Sequence, residues 1–260
     1  MPTSALVANL RSFIMPLTAA GIVSTLEAFG FEWDGELVHQ RNRLQHYGNA
    51  LQTLEARALT FECSCSRLQL EDEIRYPGTC RERPAVSGIP TATRLRVEPG
   101  FIEFCDRIQG RYRQDIAAAV GDMIVRRRDQ VFAYLLAVVI DDAAQGVTHV
   151  VRGADLLDNT PRQIYLQRAL GLSQPAYAHV PVLTEPDDSK LAKSRHSVRL
   201  AADSVLPQLL RVFSLLGLTP PESLAGAGLA QAWQWAIERW HVKNVSSQLT
   251  VRTSNQQSLQ

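Results

Sequence analysis

Three cysteines lie close together in a segment that has little else to order it. Cys63 and Cys65 are separated by one residue, and Cys80 follows within the same segment, residues 63–90, which is rich in Cys, Arg, Gly and Pro. Thiolates bind zinc, and a structural zinc readily replaces hydrophobic burial where a core is missing. The sequence therefore predicts a zinc site here. The alternative is three reduced cysteines in a surface loop.

Two lysines stand in a polar loop that follows an apolar run. Lys190 and Lys193 lie within residues 185–197, directly after residues 177–184, whose composition predicts a buried strand. An ammonium group is a compact positive charge, suited to a triphosphate and to the negative charge that builds on phosphorus during nucleotidyl transfer. Two lysines in a loop are also typical of a solvated surface. Their place after a strand is what favours a nucleotide contact.

A polar site is expected where two apolar runs end. Residues 131–140, which include Tyr134, form a nearly continuous apolar run that predicts a strand covered on both faces. Residues 147–151 predict a second strand, with Arg152 and Gly153 at its exit. Open α/β sheets bind ligands at strand ends, and a guanidinium there is suited to bidentate capture of a carboxylate or phosphate.

The next helix carries recognisable end signals. Thr160 is expected to cap it, Pro161 to occupy its first position and Gly171 to follow its last residue. Strand, strand, polar exit and helix together predict one α/β unit. Further helices are predicted at residues 21–34, 44–58, 206–216 and 229–240, and strands within residues 91–104.

Composition bounds the class of protein. With 260 residues and 45% hydrophobic composition, the chain can bury a full core. The formal net charge of +1 excludes global attraction to nucleic acid, so RNA would have to contact local patches. Residues 126–128, and Arg107, Arg111 and Arg113, are such patches or simply solvated surface. No apolar stretch reaches membrane-spanning length, so we expect a cytoplasmic protein whose cysteines bind metal or pack.

These motifs resemble, in type and order, those of class I glutamyl-tRNA synthetases. Residues 125–170 resemble the second half of their catalytic domain, most closely that of their short relatives, the glutamyl-Q tRNA(Asp) synthetases. Lys190-Leu-Ala-Lys193-Ser194 resembles the KMSKS signature of the class. The resemblance implies an α/β, Rossmann-like catalytic domain with a zinc-bearing insertion and a short C-terminal helical region.

The resemblance also implies a set of zinc ligands. These synthetases use a Cys-x-Cys pair followed by Tyr-x-x-x-Cys, which match Cys63, Cys65, Tyr76 and Cys80. A phenol is an unusual ligand, because the metal must lower its pKa from about 10. Cys105 or a water molecule is the alternative fourth ligand.

Substrate contacts follow from the same resemblance. Lys193, with Lys190 beside it, is expected to contact ATP and to act in catalysis, while Arg152 pairs with a carboxylate of glutamate. Tyr134 is expected to donate its hydroxyl to glutamate. For Tyr134 the alternative is a core aromatic on a buried strand.

One part of the family pattern is not found in these 260 residues. A Pro-Ser-Pro-Thr-Gly segment, the HIGH signature and an acidic Arg-Ile-Glu-Asp segment are missing, so we expect an incomplete first half and no glutamate activation by these residues alone. The expected divisions are 1–58 for a remnant of the first half, 59–115 for the zinc-bearing insertion, 116–200 for the second half, 201–245 for C-terminal helices and 246–260 for a disordered tail.

The function implied is activation of glutamate with ATP and magnesium, without tRNA, and its transfer to queuosine at the wobble position of tRNA(Asp). About 60 residues follow the lysine loop, too few for an anticodon-binding domain, and we expect a monomer. Two alternatives stay open. One is a catalytically dead paralogue that serves as a zinc-bearing RNA-binding or interaction module. The other is an unrelated zinc protein with an α/β core.

Overall fold

A computed structural model describes residues 16–66, 68–71, 73, 75–83, 87–184 and 205–252. Its helices are α1 (Pro16–Ala28), α2 (Leu44–Ala56), α3 (Ile116–Ala119), α4 (Tyr134–Ala144), α5 (Thr160–Leu170), α6 (Val205–Leu215) and α7 (Leu229–Arg239). Its strands are β1 (Thr60–Cys63), β2 (Ala92–Leu95), β3 (Phe101–Asp106), β4 (Gly110–Asp115), β5 (Met123–Arg126), β6 (His149–Gly153), β7 (Ala176–Val180), β8 (Val182–Thr184) and β9 (Thr250–Arg252). In the described ranges, no helix has the length and apolar character needed to cross a bilayer.

The strands form four small sheets, so the fold is mixed α/β as expected. β1, β2 and β5 make an antiparallel sheet, and β3 pairs with β4 as an antiparallel hairpin. β6 and β7 are parallel and are connected through α5, the arrangement of a βαβ crossover. Their register places Arg152 opposite His179. The ends of this parallel pair carry the side chains of the candidate site.

The apolar run at residues 131–140 is not a strand. It forms most of α4, and Leu136, Ala137, Val138 and Val139 are all buried within it. A short apolar run buried on every side has no period that separates strand from helix, and a helix that is hydrophobic all round is a core helix. The correction places Tyr134 at the first residue of a helix, with 37% of its surface exposed. The alternative of a fully buried core aromatic is therefore wrong.

Helix α4 is tied to α2 by a buried carboxylate. Asp141 accepts hydrogen bonds from Tyr47 Oη at 2.7 Å, Arg43 Nε at 2.5 Å and Gln40 Nε2 at 3.2 Å. A buried charge is tolerated only when it is paired and hydrogen-bonded in this way. The pairing fixes the axial position of α4, and with it the position of Tyr134 at its start.

The cysteine-bearing region shares its core with the rest of the fold. Leu95, Ile102 and Phe104 from residues 59–115 belong to one hydrophobic cluster with α2, α4, α5, β5 and β7. Strand β5 lies beyond residue 115 but pairs with β2. The β1–β2–β5 sheet therefore has two strands within the expected insertion and one strand beyond it.

The C-terminal helices form a smaller core that contacts the end of α1. α6 and α7 pack through Leu209 and Phe213, and Trp233 of α7 donates its indole N–H to the carbonyl of Phe29 at 2.7 Å. Gly30 has φ +72°, and a Cβ at this position would approach the Trp233 side chain to 3.0 Å. Only glycine suits both the left-handed backbone and the close approach.

The expected disordered tail contains a strand. β9 pairs in parallel with β8, with Val251 opposite Leu183. The polar composition of residues 246–260 predicted disorder, but strand pairing uses backbone groups that every residue carries. The correction applies to residues 250–252, and residues 253–260 lie outside the described range.

Candidate active site and metal centre

Three thiols converge at the end of β1. The Sγ atoms of Cys63, Cys65 and Cys80 all lie within 4.8 Å of one another, and those of Cys65 and Cys80 are 3.5 Å apart. The hydroxyl of Tyr76 lies 3.5 Å from the Cys63 sulfur. Zinc–sulfur bonds of about 2.3 Å place tetrahedral thiolates about 3.8 Å apart. Three thiols and a phenol at these separations fit a zinc ion.

The position of Tyr76 is held from several sides. Its hydroxyl accepts the backbone N–H of Cys80 at 2.8 Å, and its own N–H donates to the carbonyl of Val120 at 2.9 Å. The guanidinium of Arg94 lies 3.7 Å from the centre of the ring. A Cβ on Gly121, where φ is +71°, would come within 2.4 Å of the Tyr76 carbonyl. Gly121 is thus required for this close approach.

The thiols have unequal acidity. Burial, together with hydrogen bonds to Cys80 and Cys63, raises the pKa of the Cys65 thiol to about 11. Burial would also raise the pKa of Cys80, but the backbone N–H of Ser64 and the Cys65 and Tyr76 side chains outweigh it and lower the pKa to about 7. The Cys80 sulfur is therefore the group that most readily becomes a thiolate, the form that binds metal.

The fourth cysteine does not join this group. Cys105 is exposed on β3, and its sulfur contacts the carbonyl of Asp106 at 3.9 Å. Within the described residues it is not part of the thiol cluster. The alternative of Cys105 as fourth zinc ligand is wrong, which leaves Tyr76 or water.

The Arg152 side chain, near the end of β6, is surrounded by hydrogen-bond acceptors. Its Nε donates to His179 Nε2 at 3.1 Å, and its Nη2 donates to Thr160 Oγ1 and to Gln163 Oε1, both at 2.8 Å. A guanidinium has five N–H donors, so three are engaged by the protein. Among the described residues, Nη1 has no hydrogen-bond partner within the protein. The bidentate capture of a carboxylate by Arg152 therefore stays a prediction.

Behind Arg152 lies a buried carboxylate and imidazole. The side chains of Asp106 and His179 are both 0% exposed, and Asp106 Oδ2 lies 2.6 Å from His179 Nδ1. Burial acts to raise the pKa of Asp106, but the hydrogen bonds from His179 and from three backbone N–H groups lower it overall. Neither residue was identified from the sequence. The one signal was a histidine within the apolar run at residues 177–184.

Thr160 accepts a hydrogen bond from Arg152 and does not cap α5. It is the first residue of α5, whose N-cap is Asn159, and its hydroxyl lies 3.3 Å from the carbonyl of Leu156. The expectation that Thr160 caps the helix is wrong, because its oxygen is committed to Arg152. Pro161 is the second residue of α5 rather than the first, and Gly171 at the C-cap, with φ +72°, is confirmed.

Tyr134 and Asp142, both on α4, act electrostatically on Arg152. Burial lowers the pKa of the Arg152 guanidinium, and the nearby Tyr134, Tyr177 and Asp142 oppose this. Burial raises the pKa of the Asp142 carboxyl to about 6, with Arg152 acting against it. Arg152 and Tyr134, which the resemblance assigns to the same substrate, therefore interact electrostatically.

One cavity lies between Tyr76 of the metal centre and Gln163, whose side chain hydrogen-bonds Arg152. It has a volume of about 340 Å³ and is lined by Tyr76 and Arg94 on one side and by Tyr134, Arg162 and Gln163 on the other. Among the described residues, the buried donors Arg94 Nε, Arg162 Nε and Gln163 Nε2 have no hydrogen-bond partner. Unpaired buried donors are costly, so the cavity suits a ligand rich in acceptor atoms.

The expected lysine and arginine contacts have different outcomes. Lys190 and Lys193 lie outside the described residues. In the arginine patches, Arg127 pairs with Asp129 at 2.6 Å, and Arg111 donates to both carboxylate oxygens of Glu103 at 2.8 and 2.9 Å. Such surface pairs support the reading of a solvated face rather than an open RNA contact.

Comparison with known proteins identifies the family. Residues 17–225 match the family model described as tRNA synthetases class I (E and Q), catalytic domain. The chain belongs to this class I synthetase family. Membership makes the protein a ligase-type enzyme, and the expected enzyme class is confirmed.

Curated members of the family are similar over most of the chain. A glutamyl-Q tRNA(Asp) synthetase from Pseudomonas fluorescens is 48% identical, covering 91% of this chain and 79% of that protein. One from Dechloromonas aromatica is 45% identical, covering 87% and 78% respectively. The resemblance stated from the motifs is confirmed.

A solved structure shares the class I fold. A glutamate tRNA ligase from Elizabethkingia meningosepticum, in complex with its amino acid, superposes with a TM-score of 0.73 at 16% identity. It covers 95% of this chain, while this chain spans 59% of its length. At this identity the likeness concerns the fold alone.

Proposed function

We propose that this protein activates glutamate with ATP and magnesium and transfers it to queuosine of tRNA(Asp). The observation that carries the proposal is Arg152, a guanidinium held near the end of β6 by His179, Thr160 and Gln163, the last of which also lines a cavity with further donors. The similar relatives bear the name of this activity. An amino acid with two carboxylates matches a site with this excess of donors.

Each substrate contact has a role in that chemistry. Arg152 pairs through Nη1 with a glutamate carboxylate, and Tyr134 donates its hydroxyl to the same substrate. Lys193, assisted by Lys190, stabilises the charge that develops on the triphosphate. Magnesium offsets the remaining phosphate charge as part of the nucleotide substrate. The glutamate carboxylate displaces pyrophosphate from ATP to give the acyl adenylate, and a hydroxyl of queuosine then displaces AMP to form the ester.

A structural zinc is proposed at Cys63, Cys65, Cys80 and Tyr76. When bound, the ion supplies cross-linking and charge neutralisation rather than a reactive group, because all four positions are occupied by protein ligands. Tyr76 also lines the cavity, and Arg94 packs over its ring. The cysteine-bearing segment therefore forms one wall of the proposed substrate site.

The function is tested by glutamate transfer. The chain, alone and preceded by the HIGH-containing segment of the Pseudomonas fluorescens relative, is incubated with ATP, magnesium, labelled glutamate and tRNA(Asp) with or without queuosine. We expect the extended form to label only the tRNA with queuosine and Lys193→Ala to slow labelling about a hundredfold or more. The short form should be inactive, because positioning from one wall alone loses several orders of magnitude in rate.

Two results would decide against parts of this proposal. Labelling by the short form would show that other residues of the chain supply the missing nucleotide contacts. No labelling by the extended form, with tRNA binding retained, would overturn the synthetase activity and leave the alternative of a zinc-bearing RNA-binding module. Labelling of tRNA without queuosine would contradict the acceptor.

A further inference from the structure

The buried pair Asp106 and His179 lies directly behind Arg152. Asp106 lies on β3, His179 on β7 and Arg152 on β6, so the pair links the β3–β4 hairpin to the parallel strands. Asp106 Oδ2 lies 2.6 Å from His179 Nδ1, and His179 Nε2 lies 3.1 Å from Arg152 Nε. The three groups form one chain of hydrogen bonds from a carboxylate to a guanidinium.

The position of the imidazole proton follows from its neighbours. Asp106 Oδ2 is an acceptor, so His179 carries its proton on Nδ1. Arg152 Nε–H is always a donor, so His179 Nε2 must be the acceptor. A proton on Nε2 would face the Arg152 N–H at 3.1 Å and repel it. Thr160 Oγ1 also lies 3.1 Å from Nε2 and can donate to it in the Nδ1–H tautomer, whereas with Nε2–H it would have to accept from His179 as well as from Arg152 Nη2. The tautomer that suits Asp106 is the one that suits Arg152.

We propose that Asp106 and His179 are positioning residues for glutamate recognition. By fixing the tautomer of His179 they hold Arg152 Nε, while Thr160 and Gln163 hold Nη2. Nη1 remains as the donor for a substrate carboxylate. The inference rests on the proposed function, because it assigns to Arg152 a carboxylate ligand. It adds two residues, neither of which touches the substrate.

The second oxygen of Asp106 makes a sharp test possible. Asp106 Oδ1 accepts backbone N–H groups of Ile108 at 3.0 Å, Gln109 at 2.9 Å and His179 at 3.1 Å. In Asp106→Asn the amide oxygen must stay at this position, because an amide nitrogen there would face three donors. The amide NH₂ then faces His179 Nδ1. The proton moves to Nε2, against Arg152, while the local fold keeps its backbone hydrogen bonds.

The tautomer is measured directly by ¹⁵N NMR of the histidine ring in the 260-residue chain. We expect His179 to carry its proton on Nδ1 in the wild type and on Nε2 in Asp106→Asn. A wild type protonated on Nε2, or the same tautomer in both proteins, would overturn the inference. The wild-type spectrum decides this even if the variant fails to fold.

Glutamate affinity, measured by calorimetry, tests the consequence. Asp106→Asn should weaken glutamate binding about tenfold or more, as expected for loss of a charge-assisted contact. His179→Gln offers Arg152 an amide oxygen whose acceptor role does not depend on a tautomer. In that background, Asp106→Asn should add little.

Comparing Asp106→Asn in the wild type and in His179→Gln separates a positioning effect from a general structural effect. An equal loss of affinity on Asp106→Asn with and without His179→Gln would show that Asp106 acts by another route, and would overturn the inference. Unchanged affinity in Asp106→Asn would do the same. The expected tautomers with no glutamate binding by the wild type would instead overturn the proposed function, and with it the glutamate role of the pair.

Discussion

At the scale of single residues, the sequence identified the cation and missed what holds it. Arg152 was found because it follows a strand, where α/β folds place ligands. Asp106 and His179 are 73 residues apart in the chain, and only the pairing of strands brings them together. Short spacings reveal neighbours along a helix, a strand or a loop. They do not reveal partners that tertiary packing supplies.

Asp142 gives a prediction on pH and stability. Its carboxyl pKa is raised from 3.8 to about 6, so the folded state binds the proton more tightly than the unfolded state. Its contribution to stability is present at low pH and is lost as pH rises from 3.8 through about 6. We expect Asp142→Asn to gain stability relative to wild type across that window, by at most about 3 kcal/mol.

Thermal unfolding from pH 4 to pH 7 measures this difference. Glu222→Gln, at an exposed carboxylate, serves as the matched control and should follow the wild type. A constant offset between Asp142→Asn and wild type at every pH would contradict the raised pKa.

At the scale of elements, amphipathic segments were predictable and all-apolar ones were not. The apolar spacing of residues 44–58 predicted α2, because one face of that helix is buried. Residues 131–140 have no polar face, so their pattern did not distinguish the helix α4 from a strand. Asp141 is itself buried in the same helix. Its partners on α2 could not be read from the sequence.

The burial of α4 yields a stability prediction. Leu136 is 0% exposed at the centre of the main core, so Leu136→Ala should lower the free energy of unfolding by about 2 to 5 kcal/mol. Ile237→Ala, at a side chain that is 72% exposed on α7, should cost less than about 1 kcal/mol. Denaturant titration compares the two. Similar losses would show that α4 does not form the core described.

The thiol cluster yields a prediction on metal content. Because Cys63 and Cys80 lie together with Cys65 and Cys105 lies apart, we expect one zinc per chain by elemental analysis. The double variant Cys63→Ser with Cys80→Ser should lose it, and Cys105→Ser should keep it. Zinc retained in the double variant, or lost in Cys105→Ser, would contradict the assigned ligands.

At the scale of the whole molecule, the cysteine-bearing segment and the parallel strands belong to one packed unit. They share a hydrophobic core, and one cavity extends from Tyr76 to Tyr134 and Gln163. Asp106 connects the β3–β4 hairpin to Arg152 through His179. The sequence predicted the two regions separately, from local motifs. Their connection depends on the fold.

Calorimetric titration of the 260-residue chain with glutamate tests the central claim, that Arg152 is the cation that binds the glutamate carboxylate. We predict saturable binding of one glutamate per chain, which is lost in Arg152→Ala. Arg111→Ala removes an equal charge from an exposed pair with Glu103 and should leave the affinity unchanged. Equal glutamate affinity in the wild type and Arg152→Ala would contradict the account.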